Sequence, residues 1–535
     1  MSLDDVAGLD QVVAGYRAAN ADVVAVGILS GGVIVAHTDP DLIGRRWPSS
    51  DDAFSYRAQI AASGAVADIE AIVEVPRRVV YLKIARSVKD FAALLLASAL
   101  IGYLVIGTLD SLRRRGDAPA EGDTGTGLVA PIFFFAVLVD NLGYAFLPQL
   151  VAEAARAEHL AGSALSLPFT VYYVAFALVL LPAAAAIARL GARPVILAGL
   201  VTVASGTLIL ALSAGFVPIA IARLLCGLGQ GLVFIGVQSY ALAMAGRVQA
   251  GAMIVFGFQG GMICGISLGS LLVGLIAPFG VFVLGTSIAI MIAVYGALAL
   301  LSEPSEPRRE AVPRKFRHDL AILLGDTGFV RAFLAVGIPA KAMLTGVVLF
   351  AVPLTLSAAG VDREDIGQII MVYAAMVMLT SPSAKGADMA PAALNGMILR
   401  GLLLSVLGIA LVAAAPALGA SGLASPALAA AVAGTLGLAV LGLGHGLINA
   451  PVVGLVTATE AAQRIGTTRA ASTYRLIERI GHAAGPAIAG QVLLLGDGGA
   501  GALVWLGLPL LVGALAVARG AAGAGQRRPL REDAA

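Results

Sequence analysis

Asp140, Arg223 and Lys341 each lie inside a long apolar stretch of this 535-residue chain. An ionisable side chain in such surroundings is costly, so it faces a polar interior and by default marks a path for an ion or a solute. Asp140 stands in Val139-Asp140-Asn141-Leu142-Gly143-Tyr144. A carboxylate there can take up and release a proton, or it can be the structural partner of Arg223 or Lys341. Lys341 follows Ile338-Pro339-Ala340. Its ammonium can hold an anionic group or pair with Asp140 in one conformation, while Pro339 frees a carbonyl and permits a bend. A lysine snorkelling to the interface is the alternative, at odds with its distance from either end of the stretch.

Arg475, Glu478, Arg479 and His482 follow within two helical turns. Spacings of three and four place Arg475 with Glu478, and Glu478 with His482, on one helix face. That arrangement reads as a gate salt bridge, with substrate contact as the alternative. His445 occupies the place of Gln230 in a related stretch, Gly442-Leu443-Gly444-His445-Gly446-Leu447 against Gly227-Leu228-Gly229-Gln230-Gly231-Leu232. It can change charge near neutral pH or be a hydrogen-bonded packing residue. The five histidines are scattered and lack paired-ligand spacing. Cys226 and Cys264 sit in apolar segments as packing residues. No metal site, cofactor or phosphate-binding loop is read here, which excludes nucleotide-driven chemistry by this chain alone.

The elements that must position these residues are membrane helices. The chain is 59% hydrophobic and 13% charged, with mean hydropathy +0.92, about half the charge of a soluble protein. A net charge of +2 offers nothing to nucleic acid. Phe91–Thr108 is close to the ~20 residues that cross a bilayer. Twelve further apolar segments follow, at 128–150, 164–187, 194–213, 217–242, 249–276, 278–301, 329–357, 365–384, 391–415, 426–451, 471–495 and 499–518.

The expected domains are therefore 1–87, soluble; 88–110, an extra membrane helix; 111–127, a linker; 128–301, six helices; 302–326, a basic central loop; 327–518, six more helices; and 519–535, a tail. In the first of these, Leu3–Asn20 is helix-like. Val23–Leu29, Gly31-Gly32 and Val33–His37 form a strand-turn-strand hairpin, and Ile72–Ile84 is strand-rich with Pro76 interrupting it. This predicts a small α+β domain. The run from Val26 to Pro40, followed by Ile43-Gly44, resembles Cache domains, extracytoplasmic sensors related to PAS folds. The resemblance implies a small-molecule ligand for this domain. Cache domains normally follow a first membrane helix, so the expectation is either a start upstream of residue 1 or an exported N-terminus. His37 and Asp39 read as turn residues, and no sensor site is assigned.

The two groups of six segments echo each other. Tyr173 to Pro182 aligns with Tyr373 to Pro382, and Gly261 and Gly265 align with Gly481 and Gly485. Pro148 aligns with Pro353. Arg223, Gly227 and Gly229 fit an Arg-xxx-Gly-x-Gly pattern, and Gly481, Gly485 and Pro486 a Gly-xxx-Gly-Pro pattern. Arg189-Leu190-Gly191-Ala192-Arg193 fits a basic loop signature whose acid is Ala188 here, while the second copy keeps Asp388 and replaces its arginine with Met389. Together these motifs resemble the major facilitator superfamily over residues 128–518, which implies a twelve-helix fold of two parallel six-helix repeats. The resemblance makes helices one and seven of the twelve line a cavity, gives Arg223 a part in proton coupling and assigns Arg189, Arg193 and Asp388 to a cytoplasmic gate. Arg475, Glu478 and Arg479 join that gate on position. The glycines are helix-packing residues.

Lys and Arg place the orientation. With the first of the twelve helices starting in the cytoplasm, inner loops hold Arg189, Arg193, Arg247, the central loop, Lys385, Arg464 and Arg469, and outer loops little beyond Arg156 and Arg363. Residues 1–87 then lie in the periplasm of a bacterial inner membrane protein, although Arg77, Arg78, Lys83, Arg86 and Lys89 flank the outer end of the extra helix. Three deep cations, Arg223, Lys341 and Arg475, against Asp140 and Glu478 point to an anionic or zwitterionic solute. The expected function is secondary, proton-coupled transport of a small organic solute. The rival from another class is a receptor that senses through residues 1–87 without moving solute. A membrane enzyme lacks any catalytic cluster.

Overall fold

The computed structural model describes residues 8–526, except 21, 49, 61–68, 115–123, 245–246, 301–312, 382–389, 423–424 and 497–498. The chain divides into two compact units, Met1–Leu95 and Leu96–Ala535.

The first unit is an antiparallel sheet in the order β2-β1-β4-β3, with β1 Ala25–Ser30, β2 Val33–His37, β3 Ala53–Ile60 and β4 Ile69–Pro76. Gly31 and Gly32, both with positive φ (58° and 80°), make the two-residue turn between β1 and β2, the geometry that matches strand twist. Helix α1, Leu9–Ala19, packs Val13 onto Val26, Ile28 and Ala36. Leu29, Ile34 and Ile72 form a second cluster with Leu42 and Trp47. The strand expected over Ile72–Ile84 stops at Pro76, because β3 begins at Ala53 directly opposite Pro76 and offers no further ladder partner. Past that point the backbone satisfies itself as helix. Helix α2, Arg77–Arg114, is therefore much longer than the apolar core 91–108.

In the second unit the segment expected as one helix at 128–150 is broken. Helix α3, Thr124–Asn141, and helix α4, Leu147–Ala157, are separated by turn residues 142–146. Pro148 has no N–H for the Tyr144 carbonyl, and the chain instead bonds Leu147 N to Gly143 O at 2.7 Å. Asp140 consequently sits at a helix end. There follow α5 Leu167–Leu190, α6 Ala192–Leu212, α7 Phe216–Met244 and α8 Arg247–Ala299. Ala277, with φ 54° before Pro278, interrupts α8 where two segments were expected.

The described part of the central connection, 302–326, contains a helix. Helix α9, Pro313–Leu324, buries Leu323, and its Asp319 receives Arg469 at 2.5 Å. Helix α10, Thr327–Ala358, has wide π-type turns over Ala332–Gly337 and Met343–Ala351. Pro339 and Pro353 each remove an intrahelical donor there, which accounts for the irregular winding. Then come α11 Arg363–Thr380, α12 Pro391–Ala413, α13 Pro426–Thr457, α14 Glu460–Ile465, α15 Thr467–Ile477, α16 Arg479–Leu495 and α17 Gly507–Gln526. The helix expected over 471–495 is thus interrupted at Glu478, and the last helix extends beyond 518 into the expected tail.

Among the described residues nine helices are long and apolar enough to cross a membrane, α8 counted once. The chain is a multi-pass membrane protein with a small extra sheet. Helix α3 packs on α8 as α10 packs on α16, and α6 on α7 as α12 on α13. Backbones approach closely where glycine omits the Cβ. Gly261 and Gly265 seat against the carbonyls of Phe134 and Leu138, and Gly481 and Gly485 against those of Ile338 and Ala342. The same two-contact pattern thus recurs 204 residues later on one helix and 220 on the other.

Candidate functional site

Asp140 closes α3 against Arg223 of α7, with Arg223 Nη1 3.5 Å from Asp140 Oδ1 and side-chain exposures of 2% and 8%. The Tyr172 hydroxyl, from α5, donates to Asp140 Oδ2 at 2.6 Å. The Arg223 guanidinium lies 4.0 Å from the Tyr172 ring centre, and its Nη2 donates to the Tyr144 hydroxyl at 3.2 Å. Tyr144 and Tyr173 share a hydrogen bond of 3.0 Å. The approach depends on Gly227, one turn from Arg223, whose missing Cβ leaves room for the Tyr172 backbone. A buried ion pair of this kind is held by its surroundings, and removing one partner strands the other.

A second polar group forms on α10, α11, α13 and the α15–α16 junction. Lys341 Nζ donates to Asn449 Oδ1 at 3.0 Å. Lys341 is not bonded to Asp140, the pairing entertained from the sequence. The Tyr373 hydroxyl and His445 Nδ1 are 2.7 Å apart, and His445 Nε2 has no hydrogen-bond partner among the described residues. Arg475 Nη1 meets Glu478 Oε1 at 3.1 Å, with Glu478 buried. Thr345 Oγ1 donates to the His482 carbonyl at 3.0 Å, tying α10 to α16.

Between the two groups lies a cavity of about 40 Å³, lined by Asp140, Tyr144, Tyr172, Gln230, Arg479 and His482 among others. That volume holds a water molecule or two and not an organic solute. Arg479 enters it from α16, with its guanidinium 4.5 Å from the Phe176 ring and 4.9 Å from the Phe234 ring. Tyr173 and His482 rings are 5.8 Å apart. Four lining residues present buried polar atoms without a hydrogen bond among the described residues: Asp140 Oδ1, Gln230 Oε1, Arg479 Nε and His482 Nδ1. A larger groove of about 360 Å³ beside Leu495 and Trp505 has no ionisable lining. Among the described residues no cluster of His, Cys, Asp and Glu could hold a metal.

Arg479, placed by sequence with Arg475 at a gate, thus shares the central cavity with Asp140. The helix interruption at Glu478 separates the two arginines into different helices. Arg189 is exposed, Arg193 Nη2 donates to the Ala297 carbonyl at 2.5 Å, and Asp388 lies outside the described residues. Sequence reasoning passed over Tyr172, Phe176, Phe234 and Asn449. Asn449, one turn past His445, is the one of these whose polarity in an apolar helix was a usable signal.

At one end of the bundle, contacts cross between the helices before α9 and those after it. Arg363 Nη2 donates to Glu153 Oε1 at 3.0 Å, Gln149 Nε2 reaches the Pro353 carbonyl at 3.5 Å, and the Phe169 and Phe350 rings are 5.1 Å apart. In the first unit, Glu74 is buried and its Oε1 accepts from Trp47 Nε1 at 2.7 Å and from Ser55 Oγ at 3.0 Å. His37 Nδ1 accepts from the Asp39 amide at 2.8 Å, the turn role read from sequence.

The family model for the Major Facilitator Superfamily matches residues 129–486. No curated protein matches the chain by sequence. Among solved structures it is similar to the human organic anion transporter MFSD10 (TETRAN), with 20% identity, a TM-score of 0.52, and coverage of 74% of this chain and 98% of that one. A bacterial homologue of the human lysosomal transporter Spinster, in an inward-facing unoccupied conformation, gives 15% identity, a TM-score of 0.58 and coverages of 76% and 98%. A variant of the nucleoside transporter NupG gives 14%, 0.58, 73% and 99%. At such identities the likeness is one of fold.

Proposed function

The chain belongs to the Major Facilitator Superfamily, and we propose on that premise that it moves a small organic solute across a bacterial inner membrane by proton-coupled alternating access. The family makes it a transporter and not an enzyme. Its working parts are two six-helix halves, 128–301 and 327–518, joined by residues 302–326 and preceded by an extra helix. The recurrence of the glycine-to-carbonyl contacts in both halves supports that division.

The observation that carries the mechanism is the buried Asp140–Arg223 pair at the edge of the central cavity. With Asp140 ionised, the pair and the Tyr172 hydroxyl hold α3, α5 and α7 together. A proton on Asp140 cancels the attraction and frees Arg223, so the helices can separate. Reorientation then carries proton and solute between the two sides. Lys341 and His445 complete the coupling set, with Asn449 orienting Lys341. Arg189, Arg193, Asp388, Arg475 and Glu478 close the cytoplasmic side. The Glu153–Arg363 and Gln149–Pro353 contacts close the outer side in this conformation.

Residues 1–87 form a Cache-like sensor on the periplasmic side that takes a small-molecule ligand. Its antiparallel sheet and tight glycine turn agree with that reading.

The test is flux in proteoliposomes under an imposed pH gradient, wild type beside Asp140→Asn, with small organic anions, cations and neutral solutes. Solute-dependent proton movement that Asp140→Asn abolishes is the expected result. Solute movement indifferent to both the gradient and Asp140→Asn would remove proton coupling. An absence of flux for every solute, with a ligand bound by the N-terminal unit, would turn the reading to a receptor.

A further inference from the structure

We infer that the central cavity receives a small organic anion with a flat apolar body, its charged group bound by Arg479 and its body by the rings around Arg479. This rests on the transporter reading and adds the substrate class and the residue that selects it.

Charge at the centre of the bundle is unequal. Two carboxylates, Asp140 and Glu478, face four cations, Arg223, Lys341, Arg475 and Arg479. Asp140 is engaged by Arg223 at 3.5 Å, and Glu478 by Arg475 at 3.1 Å. Lys341 has the neutral amide of Asn449. Arg479 makes neither a hydrogen bond nor an ion pair among the described residues, and its Nε is buried without a partner. It rests on the faces of Phe176 and Phe234, and the neighbouring Glu478 carboxylate acts on its charge without bonding it. Ring faces attract a guanidinium but satisfy none of its N–H donors. A guanidinium kept inside a membrane protein, whose neighbouring carboxylate is bonded to Arg475, has N–H donors that a ligand anion can satisfy.

Geometry adds the form of the ligand. A guanidinium offers parallel N–H groups that fit a carboxylate in a two-point bond. The rings against it come from α5 and α7, whereas Arg479 itself comes from α16. Separation of the halves therefore lifts Arg479 from the rings and opens a slot with a cation on one wall and aromatic faces on the other. Phe133, Phe258, Met262 and Leu344 also line the cavity. An aliphatic carboxylate leaves those faces unfilled, and an organic cation meets Arg479 while Asp140 is already engaged.

The experiment uses the full chain in lipid nanodiscs with benzoate, salicylate and 1-naphthoate as probes, and acetate, benzamide and benzylammonium as comparisons. At least one aromatic anion is expected to bind about tenfold or more tightly than any comparison compound. Arg479→Gln should weaken it by roughly ten- to a hundredfold. Arg479→Lys should recover part of the loss, because charge returns without the fork. Phe234→Leu should erase the preference for aromatic anions over acetate while sparing acetate, and it serves if Arg479→Gln does not fold. Binding by none of the three anions, equal binding of benzamide, or indifference to Arg479→Gln overturns the inference. Proton-linked flux of a cation or neutral solute that survives Arg479→Gln would leave the transporter reading standing and remove the anion site. Arginine-dependent anion binding without any flux would do the reverse.

Discussion

The Tyr172 hydroxyl donates to Asp140 Oδ2 at 2.6 Å while the same ring lies 4.0 Å beneath the Arg223 guanidinium. One side chain thus touches both members of the buried ion pair. It joins α5 to α3 and α7 at the edge of the cavity, so any change in the charge on Asp140 is felt directly by three helices.

Tyr172→Phe separates these contacts. The ring stays under Arg223, while the hydrogen bond to Asp140, of a kind worth about 1.5–3 kcal/mol to a charged group, is lost. Proton-linked flux is expected to fall roughly tenfold with little change in thermal unfolding. Unchanged flux in the variant, measured in proteoliposomes at matched protein density, would remove Tyr172 from the coupling machinery.

Asp140→Ala leaves Arg223 buried without its carboxylate, a change that costs about 3–5 kcal/mol in such sites. Lower yield and a lower unfolding temperature in detergent are expected. Adding Arg223→Gln should restore much of the stability, because no charge is then stranded, yet restore no proton coupling. The four proteins make a double-mutant cycle. A double variant as unstable as the sum of the two singles would mean that the 3.5 Å approach carries no interaction.

Charged residues in apolar runs were the legible part of this site, because lipid makes Asp140, Arg223 and Lys341 conspicuous in sequence. Tyr172, Phe176 and Phe234 were not, since an aromatic residue in a membrane helix is equally at home in lipid or in a cavity. The position of Arg479 depends on the interruption at Glu478, which no proline or glycine run announces. The turn after Asn141 depends on Pro148, seen in the sequence as a repeat marker and not as a break. Strand β3 has its own sequence signal, since Phe54, Tyr56, Ala58 and Ile60 alternate with Ser55, Arg57 and Gln59. Helix packing was the best specified feature, because glycines in such numbers need close backbones.

Gly227→Ala tests that packing where it positions the site. A Cβ there runs into the backbone of Tyr172, and overpacking of this kind costs about 1–3 kcal/mol. Reduced thermal stability is expected, with weaker proton coupling as Tyr172 is pushed from Asp140. Gly396→Ala is the control, since nothing lies within 4 Å of its added methyl. Equal stability of the two variants would dismiss close approach as the reason for Gly227.

Glu153 and Arg363 join the two sets of helices through an exposed pair at 3.0 Å, with exposures of 50% and 38%. Exposed pairs contribute about 0.2–1 kcal/mol, so Glu153→Gln should barely alter unfolding. The pair exists only where α4 meets the start of α11, so its whole contribution favours the conformation closed at that end. Losing it should raise the population open there by a factor of roughly 1.5 to 5. Ser166→Cys reports this, because Ser166 is buried behind Gly490 in the closed form. Its maleimide labelling rate should rise by that factor in Glu153→Gln, and high salt should produce the same rise in the protein with Glu153 intact. Exchanging the charges, Glu153→Arg with Arg363→Glu, should return the rate to its starting value. Labelling that ignores all three changes would mean that this pair does not bias the conformational equilibrium.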